Sequence, residues 1–83
     1  MSKYARWNRW LMNAREDNYR LTFRQLENIL TQSLPDSARR HPEWWANERG
    51  GWRHTQCKSW TDAGFETADV NLSTGEVSFR RIH

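Results

Sequence analysis

The sequence predicts an α+β domain in which small helices precede a C-terminal β-hairpin, in a winged-helix-like arrangement. Three observations lead there. Apolar side chains recur at helical spacing in three separate stretches. The C-terminal stretch alternates apolar and polar side chains on both sides of Ser73-Thr74-Gly75-Glu76. A length of 83 residues makes one domain, 1–83, with no room for a second.

Residues 3–15 read as the first helix. Tyr4, Trp7, Leu11 and Ala14 fall on one face with Trp10 beside them, and Arg6, Arg9 and Arg15 point away. Glu16-Asp17-Asn18 ends that pattern. Tyr19, Leu21 and Phe23 then alternate, as a short extended piece does. Thr22 and Gln25 have the spacing of a capping box, and Phe23, Leu26, Ile29 and Leu30 mark the inner face of a second helix over 23–31. The two signals overlap, so one element must be short.

Residues 34–51 read as an irregular region rich in Trp and Arg. Leu34-Pro35-Asp36-Ser37 breaks the second helix. Ser33 or Asp36 caps a short segment carrying Arg39 and Arg40. Pro42 disfavours helix at His41, and Trp44 and Trp45 begin another turn. Glu48-Arg49-Gly50-Gly51 is a polar loop. A further helix is expected over 52–63, with Cys57, Trp60 and Ala63 three apart, Gly64 as a left-handed cap and Phe65 folding back on the helix end. The hairpin is expected over 66–81. Pairing Leu72 with Val77 and Val70 with Phe79 puts all four on one face. Arg80, Arg81 and His83 make a basic end.

Composition narrows the function classes. Mean hydropathy is −1.08, polar for a globular chain, yet six residues are Trp. A small core built on Trp reconciles the two. At this size the core holds about fifteen side chains. That excludes a large internal cavity and a multi-step enzyme with its own cofactor domain. The longest apolar runs are three residues, so neither a membrane span nor a secretory signal is expected. A lone Cys57 forms no internal disulfide, and the expected setting is cytoplasmic.

The net charge is +3, and 11 of the 13 basic residues are Arg. Residues 37–58 hold five basic groups against two acidic, whereas 59–83 hold two against four. The electropositive middle also contains Trp44, Trp45 and Trp52. Guanidiniums interleaved with aromatics suit a nucleic-acid surface, because Arg neutralises phosphate and reads guanine edges while Trp stacks on bases.

Several segments of this chain are familiar together. They are Leu21-Thr22-Phe23 with Leu26-Glu27 and Ile29-Leu30, Leu34-Pro35-x-Ser37-Ala38-Arg39, Trp44-Trp45-x-Asn47, and His54-x-Gln56 followed by Trp60 and Ala63-Gly64. The set resembles a small bacterial and phage-associated domain family with no assigned activity, over about Tyr4 to Arg80. Leu26 stands where the pattern has Ile, and Phe65 where it has Trp. Gly50-Gly51 marks a local loop difference. The resemblance implies a pattern and no reaction. Its polar positions fall on Arg39, Asn47, His54 and Gln56, around Trp44 and Trp45.

The expected function is therefore DNA binding, with a link to phage or mobile-element biology. Arg39, Arg40, Arg49, Arg53 and Lys58 are expected to hold phosphates. Asn47, His54 and Gln56 would supply any sequence preference, with Arg53, His54 and Gln56 reaching bases from near the start of the 52–63 helix. Of Trp44 and Trp45, one anchors the core and the other lies near the surface. The Thr74-Gly75 turn, Arg80 and Arg81 would act as a wing. The alternative is a protein-interaction module, such as a phage-encoded inhibitor or adaptor that meets an acidic protein surface, since Trp and Arg also dominate interface hot spots.

No enzyme, cofactor or metal site is expected. His54 and Cys57 form an H-x-x-C pair, but no second ligand pair exists for zinc. Cys57 shares a face with Trp60, where a thiol is buried and inert. No phosphate-binding glycine loop and no H-E-x-x-H motif occurs. Nothing in the pattern argues for a dimer.

Overall fold

The computed structural model describes residues 2–82, so the proposed basic end at His83 lies outside the described residues. The elements run α1 (Ala5–Met12), β1 (Asn18–Thr22), α2 (Phe23–Leu30), α3 (Asp36–Arg40), a 3₁₀ turn (Pro42–Trp45), α4 (Thr55–Thr61), β2 (Phe65–Asn71) and β3 (Glu76–Arg81). The three strands form one antiparallel sheet in the order β1-β3-β2. The architecture is α+β. Among the described residues no helix is long and apolar enough to cross a membrane.

Local chemistry fixes the boundaries. Strand β1 and helix α2 abut, and both sequence signals hold. The Thr22 hydroxyl accepts from the Gln25 amide at 3.0 Å, and the Gln25 side chain accepts from Thr22 N at 2.8 Å. Helix α1 stops at Met12 rather than 15: Asn13 N and its side-chain amide both donate to the Arg9 carbonyl, at 3.1 and 2.9 Å, and Ala14 N then turns to the Leu11 carbonyl in a tighter step. Helix α4 begins at Thr55 rather than 52. The Glu48 carboxylate accepts from His54 N at 2.8 Å, which holds the preceding residues as a loop.

The hairpin differs most from its expected register. Phe79 opposes Thr67, not Val70. The inward side chains of β2 are Phe65 and Thr67, and the strand then takes an irregular step between Ala68 and Asn71. Asp69 sits at φ 49° within that step. Such an extra residue inverts the phase, so Val70 and Leu72 return only partly buried against the core. Arg20 pins the irregular step by donating to the Asp69 carbonyl at 2.6 Å.

Trp45 is the centre of the core. Its ring stacks on Phe23 (centroids 5.4 Å), Trp7 (6.0 Å) and Trp60 (6.1 Å). Phe65, Val77 and Phe79 close the core from the sheet side. Every fully buried indole has an acceptor. Trp7 Nε1 donates to the Leu26 carbonyl, Trp45 Nε1 to the Ala38 carbonyl and Trp60 Nε1 to Asn47 Oδ1.

Candidate functional site

The central segment ties several of its polar side chains into the fold. Asn47 is a bracket between α4 and β2. Its Oδ1 accepts from Trp60 Nε1 at 3.0 Å and from Thr67 N at 2.8 Å, and its Nδ2 donates to the Thr67 carbonyl at 2.9 Å. One side-chain amide thus takes both main-chain groups of Thr67 and closes that point of the β2 edge. Arg39 pairs with Glu27 at 2.5 Å and lies 5.7 Å from the Phe23 ring centroid. Glu27 also accepts from Leu34 N at 2.8 Å. That backbone bond, with Arg39 beside it, holds the Glu27 carboxyl below the usual carboxylate range.

The remaining predicted residues divide. Trp45 is 1% exposed and belongs to the core, whereas Trp44 is half-buried, edge-on to Tyr4, Trp7 and Trp45. This settles which of the adjacent pair lies nearer the surface. Gln56 Nε2 faces the Trp44 carbonyl at 3.4 Å. His54 turns Nδ1 to the Glu48 carboxylate at 2.9 Å. The His54 N–H and ring together hold Glu48 below its ordinary value. Arg53 pairs with Asp62 at 3.0 Å and donates to Thr61 Oγ1. Arg80 pairs with Glu66, its neighbour across the hairpin, and Arg81 pairs with Asp17 at 2.9 Å. Only Arg40, Arg49 and Lys58 of the predicted cations are exposed and without a carboxylate partner among the described residues.

Cys57 is 1% exposed, and burial pushes its thiol above the ordinary value. Its sulfur accepts from Glu48 N at 3.2 Å while the His54 ring points at the Glu48 carboxylate. The thiol and the imidazole are therefore engaged with different atoms of one residue. Among the described residues, no three His, Cys, Asp or Glu side chains gather as a metal would need. The hairpin tip is docked rather than free. Phe23 N donates to the Gly75 carbonyl at 2.8 Å, and a Cβ at Gly75 (φ 69°) would stand 3.4 Å from the Phe23 ring.

Helix α1 is built the other way. Its inner face carries Tyr4, Trp7 and Leu11, all buried. Its outer face presents Arg6 and Arg9, with Lys3 before it and Arg15 after it. None of these four has a carboxylate partner among the described residues. An open groove of about 640 Å³ runs between this helix and β1. Arg6, Arg9, Arg15 and Glu16 border it, and Trp10, Tyr19 and Ile29 line it, the two aromatic rings edge-on to each other at 4.9 Å. The Tyr19 hydroxyl accepts from Arg15 N and Glu16 N, at 3.1 and 3.0 Å, which fixes the turn that carries Arg15.

A sequence signal for this surface exists. Residues 1–15 hold four cations and no carboxylate. Counting over 1–36 hides it, because Glu16, Asp17, Glu27 and Asp36 dilute the sum. Trp52, 73% exposed and edge-on to His54 at 4.7 Å, is a second surface aromatic outside the predicted set.

The family model described as Domain of unknown function (DUF7662) matches residues 4–83, and the chain belongs to that family. No curated protein and no solved structure matches it.

Proposed function

We propose that this domain binds nucleic acid, DNA in the first place, through the cations that its fold leaves without carboxylates. One observation carries the reading. Five of the 13 Lys and Arg side chains pair with Asp or Glu, and the other eight do not among the described residues. Four of those eight are Lys3, Arg6, Arg9 and Arg15, within fifteen residues that contain no acid. A surface helix with no neutralising partners carries an unscreened positive field, which attracts a polyanion. Arg40, Arg49 and Lys58 extend the charge beyond α1.

The winged-helix reading rests on the order of elements. Helix, strand, helices and a final hairpin, with β1 against β3, is the order such a domain has. The wing itself is not assigned the contacts. Its tip is held by α2, and Arg80 and Arg81 are paired within the fold. The contacts are assigned to the helices instead.

Fluorescence anisotropy of labelled DNA at two salt concentrations tests the reading. Binding is expected to weaken steeply as salt rises, because each neutralised phosphate releases counterions. Absence of binding at low salt refutes it. The same arginines, with exposed Trp52 and Met12, would then mark the surface to probe for a protein partner.

A further inference from the structure

We infer that the groove between α1 and β1 receives an unpaired base, so that the ligand of this surface is a single strand rather than a duplex. The inference rests on the nucleic-acid reading and specifies it. The groove combines two chemistries. Arg6, Arg9 and Arg15 border it without carboxylate partners among the described residues, three cations against the one acid of the lining, Glu16. Trp10 and Tyr19 offer half-buried ring surface inside it. A guanidinium fork matches two phosphate oxygens, and an indole or phenol matches the face of a base.

Geometry selects the strandedness. In a duplex each base face is covered by its stacked neighbours, and only the edges are open to protein. The faces of the half-buried Trp10 and Tyr19 rings are therefore met by a base that has left the stack. The groove is wide open, with about 640 Å³ of space beside the rings, room for a base with its sugar. Phosphates on either side would then fall towards the rim. The site is also pre-set. Tyr19 is held by Arg15 N and Glu16 N, and Arg81 donates to the Ala14 and Glu16 carbonyls behind it. The turn between α1 and β1 thus needs little ordering when a ligand arrives.

The test uses the intact chain and four labelled probes at one low salt concentration. They are a short oligothymidylate, a duplex of the same length, an abasic deoxyribose-phosphate strand of the same length, and polyglutamate. The oligothymidylate is expected to bind about tenfold or more tightly than the abasic strand, since one stacked base contributes that much. It is also expected to outbind the duplex and polyglutamate. Photo-crosslinking of a halogenated pyrimidine strand should map to Trp10 or Tyr19. Arg6→Gln/Arg9→Gln/Arg15→Gln should weaken the strand without changing the melting temperature. Equal affinity for abasic and normal strands overturns the inference, as does a crosslink confined to Trp52. In either case salt-sensitive DNA binding would still stand. If no DNA probe binds at all, the nucleic-acid reading fails with it, and polyglutamate binding alone would point to an acidic protein.

Discussion

Helix α1 and the segment from Asp36 to Thr67 contain the same ingredients, arginine and tryptophan; both bury tryptophan, but only the central segment pairs some of its arginines within the fold. In the central segment Arg39 and Arg53 turn to Glu27 and Asp62, and Trp45 and Trp60 fill the core. In α1 the tryptophan Trp7 goes inward, while Arg6 and Arg9 meet no carboxylate among the described residues. The difference lies in neighbours. The central segment is flanked by acids from α2, α4 and its own loop. Helix α1 has none within fifteen residues of the chain start. On the proposed reading, an Arg- and Trp-rich stretch would serve as a binding surface only where the fold supplies no internal partner for its arginines.

The sharpest way to break this contrast is Trp45→Ala. Removing a fully buried indole that stacks on three rings costs about 3–5 kcal/mol, enough to unfold much of a small domain. Chemical denaturation checks it. Mild destabilisation with selective loss of DNA affinity would instead make Trp45 a contact residue.

Asn47→Ala comes next. It strips the acceptor from Trp60 Nε1 and from Thr67 N, two donors in a dry environment. Leaving both unmade costs about 2–4 kcal/mol. Affinity for DNA, corrected for the folded fraction, is expected to stay as in the parent. A stable Asn47→Ala protein that no longer binds DNA would return this residue to the interface.

The reverse pattern is expected on α1. Arg6→Gln/Arg9→Gln/Arg15→Gln should leave stability within about 0.5 kcal/mol, as surface changes away from special features do. The slope of log affinity against log salt should fall by about three, close to one per lost phosphate contact. Unchanged slope would show that the free cations of α1 are solvated and idle.

Acid offers a further separation. The Glu27 and Glu48 carboxyls lie below their ordinary value of 4.5, each held mainly by a backbone N–H, from Leu34 and His54. A depressed native pKa contributes stability above the unfolded value, and that contribution is lost as pH falls through the native one. Melting temperature should therefore drop below about pH 4.5, and Glu27→Gln should flatten part of the drop. Phosphates and guanidiniums keep their charge over that range, so the still-folded fraction should bind DNA as before.

Much of this contrast could be read from the residues, and part could not. The capping box at Thr22 and Gln25, the inner face of α2 and the turn at Ser73–Gly75 are local, and local signals survive folding. The hairpin register does not follow from alternation, because one extra residue near Asp69 inverts the phase and Phe65 with Thr67 becomes the inner pair. Asn47 looked like a base-reading amide since its bonds run to Trp60 and Thr67, 13 and 20 residues away. Sequence proximity shows neither. The same holds for Arg81, whose partner Asp17 is 64 residues distant.

The smallest expected effect gives the finest version of the contrast, because it separates two adjacent residues on one short helix. Arg39 pairs with Glu27 and packs over Phe23, and its side chain is still 46% exposed. Solvent screening limits such a pair, so Arg39→Gln should cost only about 0.5–1.5 kcal/mol and leave DNA affinity unchanged. Arg40 has no carboxylate partner among the described residues, so Arg40→Gln should leave stability within about 0.5 kcal/mol. Its effect should appear in binding alone, as a salt slope lowered by about one. If both variants behave alike in both assays, ion pairing inside the fold does not decide which arginine is free to act.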